Sequence, residues 1–190
     1  MVKRSGGGLV TALEPLVAAY SGTWVAHGAG NADTDVVDAR GALMVPPANP
    51  QFRLRYMWLA DDEHRGYYYG FANEGLWPLC HAVHVQPVFR SRDFCMYRRS
   101  NTRFAAAVAD EAAGRSPLVL VQDYHFALVP RMLRQRLPSS LIVAFWHIPW
   151  PLSACVQDVP MGTALTRWAA GPQHHGSSNI RGLHELSREC

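Results

Sequence analysis

Two apolar runs in this sequence end at ionisable residues that no local structural rule requires. Asp123 follows the run LVLVQ, and His147 follows the run LIVAFW. A carboxylate can accept hydrogen bonds from sugar hydroxyls, and an imidazole can donate one to a sugar or phosphate oxygen. Taken singly, Asp123 is explained by a helix cap and His147 by a structural hydrogen bond. Because they stand at two successive strand ends, the pair favours a binding or catalytic site.

The elements around these two residues follow the pattern of a β-α-β unit. LVLV predicts a buried strand, ALVPRMLRQRL predicts an amphipathic helix, and LIVAF predicts a second buried strand. Continuous apolar strands on either side of a helix indicate a parallel pair that is covered on both faces. Ligands of open parallel sheets bind outside the carboxyl ends of the strands. Asp123 and His147 are therefore expected to project into one crevice.

Other segments carry groups that suit a sugar or a phosphate. The glycines of RSGGGLV could bring backbone amides close to a ligand, with an ordinary turn as the alternative. Tyr68 and Trp77 in YYYGFANEGLW could pack on the apolar face of a sugar, or belong to an aromatic core. His125 could form a second polar wall beside Asp123, or could serve as a cap or core residue.

The sequence lacks the signals of several other classes of protein. A net charge of +3 without a dense Lys/Arg run disfavours nucleic-acid binding. No apolar stretch is long enough to span a membrane, and the N-terminus lacks the apolar core of a signal peptide, so we expect a cytoplasmic protein. The four cysteines form no close pair, and we expect reduced thiols. The pair His81 and His84 has no partner at metal-site spacing, which predicts no bound metal.

Six ordered blocks in residues 3–151 resemble a known family. They read SGGGLVTALEP, GTWVAHGAG, YYYGFANEGLWPLCH, NTRFAAAV, VLVQDYHFALVPRMLR and AFWHIPWP, and they look like the N-terminal blocks of the trehalose-6-phosphate synthases. Those enzymes are retaining glycosyltransferases of the GT-B fold. The resemblance implies an α/β protein: a Rossmann-like N-terminal half of a GT-B enzyme, with a mostly parallel sheet and flanking helices, incomplete at both ends.

The resemblance also implies an activity and a role for each matching residue. The family transfers glucose from UDP-glucose to glucose 6-phosphate, which gives trehalose 6-phosphate, and needs neither a cofactor nor a metal. Asp123, Tyr68 and Trp77 match residues that hold the acceptor. His147 matches a histidine that contacts the donor glucose and assists transfer, while Gly7 and Gly8 match the donor loop. The implied partners are these small molecules, without nucleic acid or membrane, and a full-length enzyme could form a homo-oligomer.

The match predicts a partial acceptor-side domain over residues 1–151 and an atypical segment over residues 152–190. We expect that segment to be disordered or translated out of frame. We also expect this chain to be inactive by itself, because the blocks that follow in the family hold most of the donor site. A missing first strand would leave a free strand edge and low stability. Two alternatives remain: a sister synthase with another acceptor, such as glycerol 3-phosphate, and a non-catalytic remnant or binding subunit.

Overall fold

The computed structural model describes residues 8–28, 33–81 and 84–151. The chain divides into two compact units, Met1–Leu59 and Ala60–Cys190, and each is described by itself. The domain predicted over residues 1–151 stays a prediction, and the segment 152–190 lies outside the described residues. No helix in the described ranges is long and apolar enough to cross a membrane.

The first unit places one helix before a small mixed sheet. Its elements are helix α1 (Gly8–Ala19), strand β1 (Thr23–His27), a 3-10 turn (Asp33–Asp35), strand β2 (Ala42–Val45) and strand β3 (Phe52–Met57). Strand β3 lies in the centre, parallel to β1 and antiparallel to β2. Gly41 has a φ of +75°, and a Cβ added there would lie 2.6 Å from the Trp58 ring. The position therefore requires glycine both for its backbone conformation and for its space.

The second unit contains the predicted β-α-β arrangement. Its elements are helix α2 (Asp61–His64), a π-helical segment (Arg65–Leu76), α3 (Trp77–His81), α4 (Ser91–Ala112), strand β4 (Leu118–Gln122), a 3-10 turn (Tyr124–Phe126), α5 (Val129–Arg136) and strand β5 (Leu141–Phe145). Strands β4 and β5 are parallel, with Leu118 opposite Leu141 and Gln122 opposite Phe145. The predicted strand, helix and strand are thus confirmed, and their carboxyl ends lie side by side.

Helix α4 forms the centre of the core of the second unit. Phe94, Tyr97 and Phe104 recur at helical spacing and are buried on one side. Ala113 ends the helix in the left-handed conformation with a φ of 49°, and Gly114 follows with a φ of 77°. Apolar residues at helical spacing with Gly114 just past the last of them are the sequence pattern of such a helix.

The π-helical segment and α2 are fixed to α4 by close packing and a buried charge. A Cβ added to Gly70 would lie 2.5 Å from the Asp93 carboxylate, so glycine lets the two helices approach. Glu63 is buried in α2 and accepts hydrogen bonds from Ser100 Oγ at 3.0 Å and from Arg103 at 2.7 Å. These partners compensate for the cost of burying the carboxylate. Both contacts hold the segment that carries Tyr68 against α4.

Two buried side chains of α4 hold the turn that follows β4. Asn101 is fully buried; its amide donates to His125 O at 3.1 Å and its Oδ1 accepts from Leu128 N at 3.2 Å. The Tyr97 hydroxyl donates to Tyr124 O and accepts from Ala127 N. Backbone groups of this turn are therefore paired with α4 side chains. The turn is fixed in place on the helix core.

Two cysteines of the second unit, Cys80 and Cys95, differ in oxidation state. Cys80 is a free, buried thiol, and burial raises the pKa of that thiol to about 12. Cys95 is disulfide-bonded. The expectation of reduced thiols therefore holds for Cys80 and is wrong for Cys95.

The prediction that β4 and β5 are covered on both faces is wrong for the described part of the chain. Exposure alternates along both strands, and Leu118 and Leu141 are 59% and 63% exposed. The register places one set of apolar side chains on the same face, which we call the exposed sheet face: Leu118, Leu120, Leu141, Val143 and Phe145. An apolar run predicts burial on both sides, but a single crossover helix covers only one side of a strand pair.

This exposed sheet face is expected to cause self-association of the isolated chain. Replacing Leu141 and Val143 by Thr keeps the β-propensity of the strand and removes apolar surface. We expect the double variant to stay monomeric at protein concentrations at which the parent chain associates, as measured by sedimentation velocity. Ile142→Thr, on the covered side, is the matched control and should lower stability without relieving association. Equal association of the parent and the double variant would contradict this expectation.

Candidate functional site

Asp123 lies where the ends of β4 and β5 meet, and its backbone is unusual. Its φ of 74° lies in a region that residues with a side chain seldom adopt. Its N–H donates to Phe145 O at 2.7 Å, and its carboxylate Oδ1 accepts from Tyr124 N at 2.8 Å and from His147 N at 3.3 Å. Asp123 does cap the 3-10 turn, as the alternative interpretation holds. The same carboxylate also reaches the end of the neighbouring strand.

The second carboxylate oxygen of Asp123 faces an imidazole. Asp123 Oδ2 lies 3.6 Å from His125 Nδ1, which is longer than an ordinary hydrogen bond and leaves an electrostatic contact between this ring nitrogen and the carboxylate. Burial by itself would raise the pKa of the Asp123 carboxyl. His125 and the backbone N–H groups of Tyr124 and His147 outweigh that effect and hold the pKa below its usual range. The carboxylate is therefore ionised at neutral pH.

His147 stands beside Asp123 with an exposed side chain. Its Nε2 lies 3.0 Å from Gln122 Oε1, and its ring contacts the Phe145 ring with centroids 4.5 Å apart. The structure thus brings Asp123 and His147 together through backbone and side-chain contacts at the strand ends. Gln122, the last residue of β4, orients the imidazole. A polar residue that ends an apolar run was the signal in the sequence that could have identified it.

The π-helical segment brings Tyr68 to the same place. The Tyr68 ring stacks on the His125 ring, with centroids 4.8 Å apart and planes 12° apart. One turn further along, Asn73 Oδ1 accepts a hydrogen bond from the Tyr124 hydroxyl at 2.8 Å. Tyr68 therefore adjoins Asp123 through His125, while Asn73 joins the segment to the turn after β4. Segments of π-helix are rare and often occur at functional sites.

Trp77 and Gly8 have neighbours that differ from those of Asp123 and His147. The half-exposed Trp77 ring stacks on His81 with centroids 4.1 Å apart. Gly8 begins α1 in the first unit, while Tyr68, Trp77, Asp123 and His147 belong to the second unit. Gly7 lies outside the described residues. Within the described ranges, no group of three His, Cys, Asp or Glu side chains could hold a metal ion.

The second unit therefore presents an ionised carboxylate with an aromatic ring and an exposed imidazole nearby. Carboxylate oxygens accept from the hydroxyls of a polyol, and aromatic rings pack on its C–H face. The imidazole can donate to a ligand oxygen or hold a proton. This combination suits a sugar, and its place at the carboxyl ends of parallel strands is where open α/β sheets bind ligands.

The whole sequence supports the same assignment. The profile of glycosyltransferase family 20 matches residues 1–167. The chain belongs to glycosyltransferase family 20. It is 41% identical over 170 residues to a trehalose-6-phosphate synthase of Mycobacterium ulcerans, a match that covers 89% of this chain and 33% of that protein. The chain spans about a third of the length of the curated relatives it matches.

Solved structures show the same fold for this family 20 chain. It superposes with a TM-score of 0.72 and 24% identity on an α,α-trehalose-phosphate synthase of Burkholderia vietnamiensis, over 88% of this chain and 36% of that one. A synthase of Burkholderia xenovorans in complex with glucose-6-phosphate gives a TM-score of 0.67 at 24% identity, over 86% and 35% of the two chains. The predicted resemblance and the predicted fold class are confirmed.

Proposed function

We propose that this chain supplies the acceptor side of a site that transfers glucose from UDP-glucose to glucose 6-phosphate, giving trehalose 6-phosphate. The observation that carries the proposal is the ionised Asp123 carboxylate, held at a positive φ where two strand ends meet. A strained backbone at a strand end is typical of a functional position. The named relatives are trehalose-6-phosphate synthases, and one solved synthase of this fold holds glucose-6-phosphate.

The proposed roles follow the chemistry of each side chain. Asp123 accepts hydrogen bonds from the acceptor hydroxyls, and the Tyr68 and Trp77 rings contact the acceptor sugar. His147 contacts the donor glucose. In the transfer, the C1 hydroxyl of the acceptor forms a bond to C1 of the donor glucose while the bond to the UDP oxygen breaks. The acceptor proton passes to the leaving diphosphate, and neither a metal nor a cofactor takes part.

We further propose that this chain alone binds the acceptor without transferring glucose. Because it spans about a third of its relatives, we assign the rest of the donor site to the remaining part of such proteins. Transfer between two bound substrates requires both to be held in a reactive arrangement. A chain with one half of the site would retain affinity for its own ligand.

Calorimetric titration of the purified chain with four ligands tests the proposal. We expect saturable binding of glucose 6-phosphate and weaker binding of glucose and of inorganic phosphate. In a separate assay, we expect no release of UDP when UDP-glucose is added together with glucose 6-phosphate. Tighter binding of glycerol 3-phosphate would instead support a sister synthase with that acceptor. Absence of binding to both sugar phosphate and glycerol 3-phosphate would overturn the assignment of an acceptor site.

A further inference from the structure

His125 occupies the centre of the candidate site without a role assigned to it so far. Its ring contacts Tyr68, as above, and Tyr124, whose ring centroid lies 4.0 Å away. Its side chain is 15% exposed, and its Nδ1 faces Asp123 Oδ2 at 3.6 Å. One imidazole therefore contacts both the carboxylate and the aromatic ring that the proposed function assigns to the acceptor.

The backbone of His125 is fixed independently of its side chain. The carbonyl oxygen of His125 accepts a hydrogen bond from the buried Asn101 amide at 3.1 Å. The residue also lies within the 3-10 turn Tyr124–Phe126, whose first carbonyl accepts from the Tyr97 hydroxyl. Because α4 holds this turn, the imidazole has a defined position from which it can hold other groups. Groups that orient a binding residue act by restricting its geometry.

The two ring nitrogens of His125 have different surroundings. Nε2 is buried and has no hydrogen-bond partner among the described residues, whereas Nδ1 faces the carboxylate. A hydrogen on Nε2 would be a buried donor without an acceptor, which costs free energy. In the neutral ring, the hydrogen is therefore favoured on Nδ1, where it points toward Asp123.

We propose that His125 is a positioning residue of the acceptor site, which holds the Asp123 carboxylate and the Tyr68 ring in one arrangement. The inference rests on the proposed function, because it assigns His125 a task in acceptor binding rather than in core packing. Without the Nδ1 contact, the Asp123 side chain keeps its bonds to Tyr124 N and His147 N but loses the partner of its second oxygen. That oxygen is then free to turn away from the ligand.

Two substitutions separate the positioning role from packing. In His125→Asn, the amide nitrogen takes approximately the place of Nδ1, so a donor to Asp123 is retained. In His125→Gln, the amide nitrogen takes approximately the place of Nε2, so that donor is lost. Both variants lose the ring that packs on Tyr68 and Tyr124. A packing role predicts equal effects of the two variants, whereas a positioning role predicts a smaller effect of Asn.

The first measurement needs no ligand. In ¹⁵N NMR of the parent chain at neutral to alkaline pH, we expect the neutral His125 ring to carry its hydrogen on Nδ1. In ¹³C titrations of the Asp123 carboxyl, we expect the pKa to rise in the order parent, His125→Asn, His125→Gln. A hydrogen on Nε2, or an Asp123 titration that is unchanged in His125→Gln, would overturn the proposal.

The second measurement is calorimetric affinity for glucose 6-phosphate. We expect His125→Gln to bind about tenfold more weakly and His125→Asn within about threefold of the parent, in line with the loss of one contact to a charged group. Equal weakening by both variants would overturn the positioning role while leaving the acceptor site standing. If the parent chain does not bind glucose 6-phosphate, the proposed function fails, and the ligand-free measurements still decide the Asp123 contact.

Discussion

Asp123→Asn is expected to weaken glucose 6-phosphate binding by about 10- to 100-fold, the loss typical of a hydrogen bond to a charged group. Asn has the same shape as Asp, so the strain of a φ of 74° with a ψ of 167° is similar for both residues, and its side-chain oxygen can still accept from Tyr124 N. The fold and the cap are therefore retained, while the negative charge and one acceptor oxygen are lost. Calorimetry gives the affinity, and thermal unfolding gives the stability of the same samples.

Asp123→Ala is the companion variant for the structural role of the same residue. It removes the cap of the 3-10 turn and places Ala at a φ of 74°, so we expect lower stability as well as weaker binding. A loss of affinity in Asp123→Asn that is larger than its loss of stability would assign the charge to the ligand. Affinity equal to that of the parent in Asp123→Asn would contradict the proposed role of Asp123 in the acceptor site.

The effect of pH on Asp123 has a defined sign. Because the pKa of this carboxyl is lowered in the folded chain, its contribution to stability is complete above the unfolded value, roughly 3.9. That contribution is lost as the pH falls through the lower folded value. The difference in stability between the parent and Asp123→Asn should therefore be constant at neutral pH and shrink only in acid.

Asn101→Ala is expected to lower the free energy of unfolding of the second unit by about 3 kcal/mol. The substitution leaves His125 O and Leu128 N without their side-chain partner and opens a cavity at a fully buried position. Unpaired buried backbone groups are costly because no water replaces the lost partner. Urea denaturation followed by far-UV circular dichroism measures the change.

Thr102→Ala is the matched control on the same helix. The exposed Thr102 hydroxyl donates to Arg98 O of its own helix at 2.9 Å and makes a weak contact with Met132 Sδ at 3.7 Å, so its loss should change stability by less than about 0.5 kcal/mol. Similar effects of the two substitutions would contradict the role of Asn101 in fixing the turn after β4. A local effect confined to that turn would also appear as faster hydrogen exchange at Leu128 N.

The sequence predicts the strand ends well, for a physical reason. Apolar runs mark β4 and β5, and their parallel pairing follows from the helix between them. Once these elements are assigned, Asp123 and His147 must lie at neighbouring strand ends. The helical spacing of Phe94, Tyr97 and Phe104 likewise predicts α4, because one face of that helix is the core.

Other features depend on contacts between elements that are distant in the sequence. The apolar residues of β4 predict that the strand is buried, but they do not show whether one or both of its faces are covered. The sequence therefore does not predict the exposed sheet face. The turn between Asp123 and α5 is held by Asn101, which no local pattern singles out. The place of His125 between Asp123 and Tyr68 depends on the packing of the π-helical segment against α4.

The measurement that decides most directly whether this is an acceptor site is NMR of the labelled chain during a titration with glucose 6-phosphate. We predict saturable shifts of the Asp123 carboxyl carbon and of the Tyr68 and Trp77 ring signals, with one common dissociation constant. Inorganic phosphate should leave the Asp123 signal unchanged, because that carboxylate binds hydroxyls rather than anions. Two results would contradict the assignment of the strand ends to the acceptor sugar. In one, other signals shift while the Asp123 signal does not; in the other, phosphate alone produces the same shifts.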